Sequence, residues 1–158
     1  MSRIGSLLDV SRLASELGIN RPKIYSYLKF LQGIFIIRLL PRYAEGIDRS
    51  VAGGKKVYFS DTGLLSIMGQ VNDSQIFENA VVNQLAKYGE ISFYNKRNTA
   101  EIDVVLDKKL TFEVKLTGSE KDYLKLNKLS AELKISNAGY VISKKFIEKK
   151  GFISSTIL

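Results

Sequence analysis

Ala100-Glu101-Ile102-Asp103-Val104-Val105-Leu106-Asp107-Lys108-Lys109-Leu110-Thr111-Phe112-Glu113-Val114-Lys115 is the stretch on which the fold turns. Two apolar runs flank a polar triplet. This predicts two strands, with a tight turn at Asp107-Lys108-Lys109 folding the first back antiparallel to the second. Side chains alternate faces along a strand, so Glu113 and Lys115 point the same way. The turn would bring Asp103 next to Glu113. Both strands read as buried on both faces, where a charge is costly unless it is paired or holds a cation. Aspartate is also a poor strand former. Two carboxylates at that spacing make a divalent-metal site, and Lys115 can reach a phosphate or a water. The plainer alternatives are a surface Glu113–Lys115 salt bridge, worth little, and a solvated Asp103.

The hairpin's neighbours suggest an α/β core. A helix over 76–88 carries Phe77, Val81 and Leu85 at helical spacing. Glu78 on that helix is a further candidate, as an extra ligand or a water-orienting group. Its alternative is a favourable placement in the helix dipole. Glu101 shares a strand face with Asp103 and is a weaker candidate. Strands are expected over 91–94, 100–106, 110–116 and 139–143. A helix is expected over 120–133, and the tail from 152 could add an edge strand.

Upstream, residues 8–31 read as two helices with a sharp turn. Val10, Leu13, Ala14 and Leu17 recur at helical spacing, and Asp9 or Ser11 caps the start. Gly18 ends the first helix as a left-handed residue. Asn20 caps the second, with Pro22 in its first turn. Ile24, Tyr27, Leu28 and Leu31 form its apolar stripe, leaving Arg21, Lys23, Ser26 and Lys29 exposed. Strands over 34–40 and 56–59 follow, joined by a loop with Arg42, Arg49, Gly53, Gly54, Lys55 and Lys56. Helix-turn-helix plus basic hairpin reads as a winged helix. Arg21, Lys23, Lys29, Lys55 and Lys56 would then meet phosphates. The alternative is a module for protein contacts. The polar link over 69–74 divides the chain into 1–70 and 71–158.

Composition sets limits. The 24 basic against 16 acidic residues, net +8, favour an acidic partner. For a cytosolic protein that partner is nucleic acid, here double-stranded DNA; the alternative is a basic surface that only aids solubility. The chain has no histidine and no cysteine. That removes Ser-His-Asp triads, HExxH metalloprotease motifs, disulfides and thiolate zinc sites. Oxygen ligands alone select Mg²⁺ or Mn²⁺. No apolar run is long enough to span a membrane, and the start lacks a signal-peptide pattern. Cytoplasmic location is expected.

The order Glu78, Asp103, nine residues, Glu113-Val114-Lys115 resembles the PD-(D/E)xK restriction-endonuclease-like fold. The whole chain resembles the C-terminal region of archaeal and bacterial AAA-type ATPases. The matching stretches are Leu13-Ala14 to Asn20, Lys56 to Leu65, Phe77 to Val81, Ala100 to Val104 and Phe112 to Lys115. The resemblance implies an N-terminal winged helix on a nuclease-like α/β core. It also implies Glu78, Asp103, Glu113 and Lys115 as site positions, with Asp103 and Glu113 on a Mg²⁺ or Mn²⁺ ion, and an ATPase domain upstream or in trans. The chain has no GxxxxGK[ST] phosphate loop, so no ATPase site is expected in it. Two functions follow as expectations: a metal-dependent deoxyribonuclease, or an inactive DNA- or protein-binding module whose nuclease-like core is structural.

Overall fold

The computed structural model describes residues 4–44, 54–68, 70–96, 99–135 and 139–154. Their architecture is mixed α/β, with two sheets. Helix α1 (Val10–Leu17) starts at Asp9, whose carboxylate accepts the Arg12 N–H, and stops at Gly18 in the left-handed region. Helix α2 (Arg21–Gly33) starts at Asn20, which accepts the Lys23 N–H at 3.0 Å. Val10, Ala14 and Ile24 form the small core between these helices, with Leu28 beside it. Tyr27, expected in that core, is exposed instead.

Strands β1 (Ile37–Pro41) and β2 (Lys55–Phe59) pair antiparallel. The strand expected from 34 begins three residues later, because α2 runs on to Gly33 and Phe35 takes a left-handed φ of 58°. The connection over 45–53, including Arg49 and Gly53, lies outside the described residues. The other edge of β2 is also covered: Gly5 N–H donates to Val57 O and Leu8 N–H to Lys55 O. Helix α3 (Thr62–Met68) leads to α4 (Asp73–Leu85), which opens on a capping box between Asn72 and Gln75.

The second sheet has five strands in sequential order: β3 (Ile91–Lys96), β4 (Ala100–Leu106), β5 (Leu110–Lys115), β6 (Gly139–Ser143) and β7 (Phe152–Ser154). The first two pairings are antiparallel and the last two parallel, with α5 (Glu120–Glu132) crossing from β5 to β6. Phe77, Val81, Val82 and Leu85 of α4 pack on one face of this sheet, and Leu126 and Leu129 of α5 on the other. The α4-side core also holds Leu40 of β1 and Tyr58 of β2. One core therefore runs across the expected division at 70/71, and it is this core that brings β2 to the central hairpin.

Gly151 shows how tightly the last crossover closes. Its φ is +87°, and a Cβ there would run into the Tyr123 ring, which packs on Phe152. Gly151→Ala is expected to lose about 1–3 kcal/mol from backbone strain and overpacking together. Thermal unfolding checks this. A midpoint equal to that of the parent protein would show that the loop yields freely.

Candidate functional site

Strand β4 is regular except at one point. Between Ser92 and Tyr94 the β3 register shifts, so that Phe93 faces two residues, Asp103 and Val104. Such a bulge re-aims side chains. Ile102 and Val105, on either side of the pair, both pack toward α5, whereas Val104 packs toward α4. The β4–β5 ladder runs from Leu106↔Leu110 to Val104↔Phe112. One step further the Asp103 carboxylate meets β5 instead of its backbone: Oδ2 accepts the Val114 N–H at 2.8 Å.

Three charged groups reach Asp103 from the α4 side. Lys56 of β2 is only 3% exposed. Its Nζ pairs with Glu101, lies 3.9 Å from Glu78 Oε1, and sits 5.4 Å from the centre of the Phe93 ring. Glu78, in the second turn of α4 rather than at its start, accepts the Tyr58 hydroxyl at 2.7 Å. The N-terminal segment closes over the same carboxylate, and a Cβ at Gly5 would lie 3.0 Å from Glu78 Oε1.

Glu113 and Lys115 form their own pair at 2.7 Å, with Lys115 partly exposed and Glu113 nearly buried. Glu113 alternates with Phe112 and Val114, so it leaves β5 toward α5, where Thr111 shares a hydrogen bond with Ser130. Asp103 and Glu113 were expected side by side on the hairpin. The bulge instead turns Asp103 toward α4 while Glu113 leaves the sheet toward α5, although the Asp103 charge is still felt at Glu113.

The electrostatics join the two groups. Burial pushes the Glu113 carboxyl up to about 7; the Asp103 charge adds to this, and the Lys115 ammonium opposes it. Burial and then Asp103 likewise push Glu78 up to about 7, against Lys56 and the Tyr58 hydrogen bond. Asp103 itself stands above the usual carboxylate range because it is buried, although Lys56, the Val114 N–H and Lys115 all favour its charged form. Burial alone would lower both lysines, but their carboxylate neighbours outweigh it and hold them above the ordinary value. Burial and Glu78 raise Tyr58. The centre thus sets four carboxylates against two ammoniums.

Among the described residues no three potential ligands gather as a metal-binding group. Asp103 and Glu113 are both hard oxygen donors. Each is held above its ordinary pKa partly or wholly by desolvation and like charge, which a divalent cation would relieve. Oxygen donors of this kind suit a hard cation such as Mg²⁺ or Mn²⁺ rather than a soft one.

The expected nucleic-acid contacts divide. Arg21, Lys23, Lys29 and Lys55 are exposed. Lys56 is a correction: it points inward because the core shared by β2 and the central sheet buries the face that it shares with Tyr58. Tyr58 and Gly5 were not singled out from the sequence. The available signal was the alternation of β2, which sets Lys56 on the face of an aromatic side chain rather than at a loop tip.

Residues 1–75 match a family model described as a domain of unknown function (DUF8612), and residues 73–150 match another, also described as a domain of unknown function (DUF4143). The two matches meet at the start of α4, so the charged centre draws on both: Lys56 and Tyr58 from the first, Glu78, Glu101, Asp103, Glu113 and Lys115 from the second. No curated protein and no solved structure matches the chain. Among the described residues no helix is long and apolar enough to cross a membrane.

Proposed function

We propose that the chain is a cytosolic nucleic-acid-binding module with a Mg²⁺- or Mn²⁺-dependent phosphodiester site of PD-(D/E)xK type at Asp103, Glu113 and Lys115. In this reading it works beside an ATPase domain, upstream or in trans, and residues 1–70 act as a winged helix. The observation that carries the proposal is a nearly buried Glu113, ion-paired to a partly exposed Lys115, whose carboxyl the buried Asp103 charge helps to raise. Asp103 and Glu113 would hold the cation, which supplies charge neutralisation at the phosphate and acidifies a bound water. Lys115 is the group exposed enough to meet a phosphate oxygen, and its pairing with Glu113 fixes its direction. Glu78 is held by Tyr58 and Lys56 and assists from the α4 side. The excess of 24 basic over 16 acidic residues supports a polyanionic substrate.

One observation favours a second reading. Lys56 already places an ammonium inside the acidic centre, as expected of a core that is structural and of a chain that only binds. Supercoiled plasmid separates the two. The protein is expected to nick it in Mg²⁺ or Mn²⁺ and to stop in chelator. Metal-dependent nicking absent at every protein concentration that binds the plasmid would establish the structural reading.

A further inference from the structure

Helix α2 carries two exposed stripes, one on each flank of the Ile24–Leu28 side that faces α1. At helical spacing, Lys23, Tyr27, Phe30 and Ile34 form one, and Arg21, Tyr25 and Lys29 the other. Tyr25 is 53% exposed, Tyr27 48% and Phe30 62%, and Phe35 just beyond the helix is 82% exposed. Single exposed aromatics are ordinary, but Tyr27, Phe30 and Ile34 follow one another along one stripe, which marks a contact surface. Lys23 lies 5.9 Å from the centre of the Tyr27 ring, and Arg21 and Tyr25 line one cavity of about 370 Å³ with Arg42.

Charge selects the occupant. Helix α2 carries Arg21, Lys23 and Lys29 and no acidic residue. A second copy of this basic chain would be repelled. Arg21, Lys23, Ser26, Lys29 and Gln32 are exposed on α2 as well, so a duplex is the competing ligand that the test must separate. Aromatic rings interleaved with cations suit a strand whose bases are unpaired, because rings stack on bases while the cations meet phosphates. We infer that the Lys23–Tyr27–Phe30 stripe of α2 binds single-stranded nucleic acid, with bases stacked on Tyr27 and Phe30 and phosphates met by Lys23 and the neighbouring Lys29. This rests on the nucleic-acid reading above and narrows its substrate to unpaired strands.

The test uses the full chain with an oligo-dT strand and a duplex of equal length, at several salt concentrations. With no tryptophan in the sequence, emission comes from tyrosine, and stacking should quench it. The strand is expected to bind at least as tightly as the duplex. Tyr27→Ala and Phe30→Ala should each weaken strand binding about tenfold with the salt slope unchanged. Tyr27→Phe should bind as the parent does. Tighter duplex binding that the alanine variants leave intact would overturn the inference while the nucleic-acid reading stands. Failure to bind either probe would remove both and leave α2 as a protein-docking face.

Discussion

Lys56→Met is expected to destabilise the protein more than loss of any other lysine, by about 3–5 kcal/mol at pH 8. Removing one partner of a buried ion pair leaves the others uncompensated. Here the remainder are Glu101, Glu78 at 3.9 Å and the buried Asp103. Lys55→Met one residue away is the control. Lys55 is exposed, and surface changes of that kind stay within about 0.5 kcal/mol. The deficit should also depend on pH. Glu78 and Glu113 titrate near 7 in the folded protein, above their ordinary value of 4.5. A carboxyl with a raised folded pKa binds its proton more tightly when folded. Its ionisation therefore costs nothing below about pH 4.5, and the full penalty is reached above about 7. Lys56 opposes that penalty at Glu78. The gap between Lys56→Met and the parent protein should be widest at pH 8 and shrink by about half or more at pH 5, where Glu78 takes a proton instead. Chemical denaturation at the two pH values measures both gaps. Equal losses for Lys55→Met and Lys56→Met, or a Lys56 gap indifferent to pH, would show that this ammonium does not compensate the centre.

The local elements of the chain are legible in sequence because their causes are local. Asp9, Gly18 and Asn20 act within one turn of their own helices, and each is where its side chain or left-handed φ is needed. Asp107 and Lys108 take positive φ at the tight turn, and Asp107 also accepts the Glu90 N–H. That turn sets the β4–β5 register, so the pairing of the central hairpin could be read from its spacing. Helix α4 starts at Asp73, three residues before the expected 76, because its start depends on the Asn72–Gln75 box, a pair that reads as linker in sequence. What was not legible depends on partners far along the chain. The bulge that turns Asp103 toward α4 comes from the single Phe93 facing two residues of β4. The burial of Lys56 comes from Tyr58 packing against α4 and β3, which the motif around Lys55 and Lys56 cannot reveal. The role of Lys56 is thus a property of the fold, whereas the candidacy of Asp103, Glu113 and Lys115 is a property of the strand pattern.

Asp103→Asn separates a site from a structural knot, because the two predict opposite things. Asp103 is buried and stands above its usual pKa, so its charged form is the costly one in the folded protein. An amide keeps the shape and an oxygen to accept the Val114 N–H, now made at 2.8 Å. It also ends the repulsion that pushes up Glu78 and Glu113. The unfolding midpoint at pH 8 should hold or rise by a few degrees, since about 1 kcal/mol corresponds to roughly 2–4 °C in a chain of this size. Metal-dependent nicking should fall by about a hundredfold or more, because one of two charged oxygen donors is gone. Loss of activity with stability kept or gained is the pattern of a residue retained for function at some expense to the fold. Calorimetry and the plasmid assay on the same preparation test both halves. A variant that unfolds would make Asp103 a structural anchor of the β4–β5 opening. One that folds and still nicks with metal would move the chemistry away from this hairpin altogether.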